Sequence, residues 1–93
     1  MNKANASHIL VKTHDQALEI KEKLNNGESF EELAKNNSTC PSKKRGGNLG
    51  WFSRGQMVKE FEKATFNLKK NQISEPVKTQ FGWHIIKLND SKG

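Results

Sequence analysis

A chain of 93 residues has room for one domain, and an apolar content of 32% allows it only a small core. The formal charge is +6, spread as eight Lys and Arg against six acids in residues 1–46 and eight against four in residues 47–93; this reads as a solvated basic surface, with nucleic acid or anionic lipid as the sharper alternative. The single cysteine excludes an intramolecular disulfide and the N-terminus lacks the apolar run of a signal peptide or a membrane span, so a reducing, cytoplasmic setting is expected.

Along the chain, Ser7 to Lys12 reads as a strand with Ile9 and Val11 on one face and His8 and Leu10 on the other. Thr13 stands three residues before Gln16, a capping-box pattern, and the helix that follows carries Ala17, Ile20 and Leu24 on one side. It ends near Asn26-Gly27, where glycine suits the left-handed position beyond a helix. Ser29 and Glu32 repeat the capping pattern before a short helix whose buried side is Phe30, Leu33 and Ala34. Residues 36–48 are polar and read as a loop with no more than a turn. Leu49 to Phe52 forms a short strand, residues 53–56 a turn, and residues 57–67 a helix in which Met57, Phe61 and Ala64 recur at i, i+4 and i+7. That stripe reads either as a plain core helix or, with Leu49 and Phe52 across Gly50, as the wall of a small apolar cup that methionine adapts in shape. Lys69 to Gln72 is a turn in which Asn71 can take left-handed geometry. Glu75 is extended because it precedes Pro76. Gly82 to Leu88 is a last strand with Ile85 on one face and His84, Ile86 and Leu88 on the other, and the tail after Asn89 is expected to fray. Strands interleaved with helices over this length make one α+β domain with its core at about residues 6–89.

The groups able to carry chemistry are His8, Cys40, Thr79 and His84. Two neutral imidazoles on adjacent strands can pass one hydrogen bond between them, which satisfies both when buried. Cys40 can be read as a nucleophile with a histidine base, as a zinc ligand with His8 and His84, or as part of a pocket wall. The first lacks a recognisable signature and the second lacks a C-x-x-C or H-x-x-x-H pair. The run from Arg45 to Gly50 lacks the spacing of a phosphate-binding loop. His14 reads as a surface residue near a helix start.

Four segments in this order, Ser7-His8-Ile9-Leu10-Val11-Lys12, Cys40-Pro41-Ser42, residues 46–66 and residues 79–86, resemble the parvulin family of peptidyl-prolyl cis/trans isomerases, over about Ala6 to Leu88. The resemblance implies a four-stranded antiparallel sheet surrounded by four helices in the order β-α-α-α-β-α-β-β, the third of them near residues 37–44. It implies catalysed rotation of X-Pro bonds in peptides and folding proteins by a monomer, without a covalent intermediate, cofactor or metal. By family match, His8, Cys40, Thr79 and His84 form a polar wall around the twisting carbonyl, Leu49, Met57 and Phe61 hold the proline ring, and Phe81 covers the residue before it. Phosphate-directed parvulins carry a long basic loop between the first strand and first helix; here only Thr13 and His14 lie between Lys12 and Asp15, so apolar residues are expected before proline. The alternative is a parvulin-fold binding module or chaperone that docks on nucleic acid or anionic membrane through its lysines.

Overall fold

Alternation along the first and last strands sorts their side chains into two sets. In β1 (Lys3–Val11), Ile9 and Val11 point to one core while Ala4 and Ala6 point to a second; in β4 (Gly82–Lys92), Ile85 joins the first and Ile86 and Leu88 join the second. The structure, a computed structural model, describes residues 2–93. Helices α1 (His14–Asn25) and α2 (Phe30–Asn37) cover the first face with Ala17, Ile20, Phe30, Leu33 and Ala34. Strand β2 (Asn48–Ser53) and helix α3 (Lys59–Phe66) supply Phe52 and Phe61 to the second. With β3 (Val77–Thr79) the strands form one antiparallel sheet in the order β2-β1-β4-β3.

The register of the two central strands sets the site. Ile9 lies directly opposite Ile85, whereas His8 faces Ile86 and His84 faces Leu10. The two histidines are therefore diagonal neighbours on one face, within reach of each other across the strand pair.

Local signals explain most boundaries. Thr13 and Gln16 form the full capping box at the start of α1. At α2 only half of the second box forms: Ser29 accepts from the Glu32 N–H. Asn71 does take a left-handed conformation, with φ 69°.

Four expectations need correction. The sheet runs past both ends of the 6–89 core, since β1 begins at Lys3 and β4 continues to Lys92. The tail does not fray: Lys92, Ser91 and Asp90 pair with Lys3, Ala4 and Asn5, and the Asn89 amide donates to Asn5 and Ser7 side chains. The third helix is not an α-helix but a 3-10 helix, Pro41–Arg45, closed by Gly46 in left-handed geometry. Helix α3 starts at Lys59, not at Met57, with Val58 in the cap position and no side-chain cap bond. Met57 thus stands outside the helix, free to face the groove.

Candidate active site

The carboxyl half of β1, the 3-10 segment, the start of β2, the approach to α3 and the β3–β4 turn converge on one groove of about 470 Å³. That lies within the usual size for a small-ligand site. Its lining includes no charged Lys, Arg, Asp or Glu side chain.

The floor is a histidine pair. The His8 and His84 Nδ1 atoms are 2.9 Å apart, with ring planes 20° from parallel. Phe61 stands edge-on to both rings, at centroid distances of 5.4 and 5.2 Å. Behind them the Thr79 hydroxyl lies 2.7 Å from His84 Nε2 and accepts the Phe81 N–H at 3.1 Å. Both imidazoles are held down to about 4, His84 by burial and His8 by burial with a smaller contribution from the neighbouring His84. Both rings are therefore neutral at pH 7, and one Nδ1 must donate while the other accepts.

Two proton arrangements satisfy this chain. In one, Thr79 donates to His84 Nε2, His84 donates from Nδ1 and His8 carries its proton on Nε2. In the other, every proton is shifted: His84 donates to Thr79 and His8 donates to His84. In both, His8 Nε2 is buried without a protein partner. The pair can thus relay a hydrogen-bond polarity through the floor of the groove without acquiring charge.

The backbone holds His8 in place from behind. Its N–H donates to the Gly47 carbonyl at 3.0 Å, and a Cβ at Gly47, where φ is 88°, would collide with the His8 carbonyl oxygen. Gly47 is therefore a packing requirement of the histidine strand, while a Cβ at Gly46 would meet Glu31 of α2.

Of the residues singled out in the sequence, His8, Cys40, Leu49, Met57, Phe61, Phe81 and His84 line the groove. Leu49 and Met57 are half-buried on its walls, Phe61 is buried at 3% exposure, and Phe81 stands at the rim with 61% exposure. Thr79 does not line it; buried behind His84, it orients that ring instead of contacting a ligand. Cys40 is half-buried with a free thiol, and its N–H donates to Ser38 Oγ at 3.3 Å. The zinc reading fares poorly on donor chemistry, because the facing His8 and His84 nitrogens bind each other and His84 Nε2 binds Thr79. Among the described residues no three His, Cys, Asp or Glu side chains converge.

The sequence matches the family described as Rotamase, PPIC-type PPIase domain, over residues 4–90. The chain belongs to that family. It is similar to Foldase protein PrsA 1 of Bacillus cereus, 59% identical over 88 residues that cover 94% of this chain and 31% of that one. Its fold superimposes on the crystal structure of PrsA from Bacillus anthracis with a TM-score of 0.97, at 52% identity, covering 99% of this chain and 43% of that one. It also matches the solution structure of NmPin, the parvulin of Nitrosopumilus maritimus, with a TM-score of 0.85 and 52% identity, covering 95% of this chain and 96% of that one. The chain spans about a third of the length of the curated relatives it matches.

The rotamase groove also includes residues that sequence reasoning missed: Leu10, Thr39, Pro41, Gln56 and Val58. Leu10 was within reach, since it shares a strand face with His8, and Pro41 adjoins Cys40. Thr39, Gln56 and Val58 carry no such signal. They enter because Thr39 N donates to the Leu10 carbonyl at 2.8 Å and because α3 starts late, which turns Gln56 to Val58 across the opening.

Proposed function

We propose that this domain accelerates cis/trans rotation of X-Pro bonds in peptides and unfolded or partly folded chains, by non-covalent means. The observation that carries the reading is an apolar cup of Leu49, Met57 and Phe61 set against a neutral, buried histidine pair. Rotation faces a barrier of about 18–20 kcal/mol because resonance stiffens the C–N bond. At the twisted transition state that resonance is lost and the amide is less polar than when planar. A cup that seats the proline ring and excludes water favours the twisted form over the planar one, which is differential binding of the transition state. His8, His84 and Cys40 supply polarisable groups at the end of the cup, and Thr79 holds His84 from behind. Phe81 at the rim covers the residue before proline, and the uncharged lining supports an apolar residue there.

The names of the relatives, a foldase and a parvulin, support proline-containing, incompletely folded chains as clients. Action as a cytoplasmic monomer belongs to the same proposal. A protease-coupled assay on proline tetrapeptides, run without added metal, tests the reading. Catalysed exchange is expected; a folded sample inactive both there and by NMR exchange overturns it.

A second reading, docking on anionic lipid or nucleic acid, is supported by the net charge of +6. Retention on acidic vesicles, or nucleic-acid binding that weakens steeply with salt, tests it.

A further inference from the structure

The groove is lined by uncharged side chains, but the chain becomes strongly cationic just past one lining residue, Pro41. Lys43, Lys44 and Arg45 are consecutive and exposed, and they occupy the 3-10 helix that begins at Pro41. Pro41 lines the groove, and so does Leu49 just beyond the helix. The cluster is therefore bracketed by two lining residues and does not lie on a remote face. A 3-10 helix rises about 2 Å per residue, which puts Lys43 about 4 Å and Arg45 about 8 Å beyond Pro41 along the axis. Arg45 is steered further toward β2, because its Nε–H donates to the Asn48 carbonyl at 3.5 Å.

None of these cations is neutralised from within. Among the described residues the ion pairs join Lys21 to Glu75, Lys23 to Glu19, Arg54 to Glu62 and Lys70 to Asp90, and none includes the cluster. Helix α2, packed behind it, carries Glu31 and Glu32; the Glu31 methylene stem abuts Gly46, and neither carboxylate belongs to one of these ion pairs. Three like charges within five residues repel one another, and an anion brought by a ligand relieves that.

We propose that this cluster is a specificity subsite for carboxylates on the client chain, placed two to three residues from the proline. The proposal rests on the isomerase reading of the groove. An extended peptide advances about 3.3 Å per residue. With the residue next to the proline over Pro41, the further ~4 to 8 Å to the cations is about one to two residues, which brings the second or third residue from the proline level with them. A client segment is favoured over a membrane because the cluster begins two residues after Pro41, which itself lines the groove.

The test uses proline peptides that carry Glu, Ala or Lys at successive positions on either side of the proline. Each is assayed with the wild-type chain and with the K43Q/K44Q/R45Q variant, at about 10 mM and about 150 mM salt, where the Debye lengths are about 30 and 8 Å. At low salt the Glu peptide is expected to exceed its Lys counterpart in kcat/KM by about three- to tenfold, at positions two or three on one side only. The ratio should shrink at the higher salt and fall to about one in the variant, while the Ala reference is turned over equally by both proteins. A Glu/Lys ratio of one in the wild type, or an undiminished ratio in the variant, overturns the subsite. So does retention on acidic vesicles that depends on the three cations while the peptide ratio stays at one. If even the Ala reference is not turned over, the isomerase reading fails instead. Chemical-shift titration with the same peptides then still decides whether the cluster prefers Glu.

Discussion

The two faces of the β1–β4 pair hold different materials one residue apart. Ile9 and Ile85 lie directly opposite each other and are wholly buried beneath α1 and α2. One step along, His8 and His84 turn to the other face, almost as deeply buried, but in contact with a groove. Equal burial thus serves packing on one side and chemistry on the other. What separates them is access to a ligand and the hydrogen bonds that make a buried imidazole tolerable. The Ile9 and Ile85 side chains have no polar group to satisfy. The groove face carries a chain from the Phe81 N–H through Thr79 and His84 to His8.

The largest effects on stability should come from emptying either core, and on the apolar face the loss should come without a change in turnover. Ile85→Ala removes a fully buried side chain and is expected to destabilise the fold by about 2–5 kcal/mol while leaving turnover per folded molecule nearly unchanged. Urea melts beside rate measurements check this. Phe61→Ala should blur the comparison, because Phe61 belongs to the second core and also lines the groove. A loss of about 3–5 kcal/mol together with lower specific activity is expected.

Acid should act on the groove face. Unfolded histidines titrate near 6.5, whereas both folded imidazoles are held at about 4. Between these values the unfolded chain binds protons that the folded one does not. Stability should therefore be full above about pH 6.5 and decline as pH falls toward 4, by up to about 1.4 kcal/mol per pH unit for each histidine. Denaturation at pH 7 and pH 5 measures it. Equal stability at the two values would contradict neutral burial of the pair.

Met57→Ala should sharpen the comparison from the ligand's side. Met57 is half-buried, precedes α3 and packs only at the edge of the second core, so its packing role is smaller than that of Phe61. A stability change of at most about 1–2 kcal/mol is expected, with a larger fractional loss of kcat/KM than of folded protein. A collapse of the melting temperature with unchanged specific activity would make Met57 a core residue.

The legibility of these features in sequence follows the same division. Alternation disclosed the faces of Ile9, Val11, Ile85 and Ile86, because apolar side chains at period two leave little choice. The histidine pair was visible only as two imidazoles on strands; the diagonal register that joins them is a tertiary fact. Thr79 belongs to the wall by family resemblance, yet its hydroxyl reaches His84 and the Phe81 N–H and not the groove. The strand ends were missed because Lys3-Ala4-Asn5 and Asn89-Asp90-Ser91-Lys92 are polar. Their order comes from pairing with each other and from two buried alanines, too small to register as a hydrophobic signal. The late start of α3 was hidden because Met57 satisfies the helical period without belonging to the helix.

The smallest expected effect concerns the residue before proline. A phosphate needs a cation within hydrogen-bond reach, ideally a guanidinium that grips two oxygens. The groove lining has none, and Thr13 already caps α1 directly after Lys12, so no loop arches over the opening. What covers the position under this reading is the ring of Phe81, which favours an apolar partner. The cations of the 3-10 helix lie beyond Pro41, where they meet more distant residues of the client. A charge at the two places should therefore act differently: useful two or three residues away, of no benefit next to the proline. Peptides carrying Leu, Glu, Ser or phosphoserine immediately before proline should rank with Leu first and phosphoserine no better than Ser in kcat/KM. A phosphoserine peptide turned over tenfold faster than the rest would require about 1.4 kcal/mol of added transition-state stabilisation. Such a result would place a cation over the cup, and the contrast between an apolar cup and a cationic end would then be wrong.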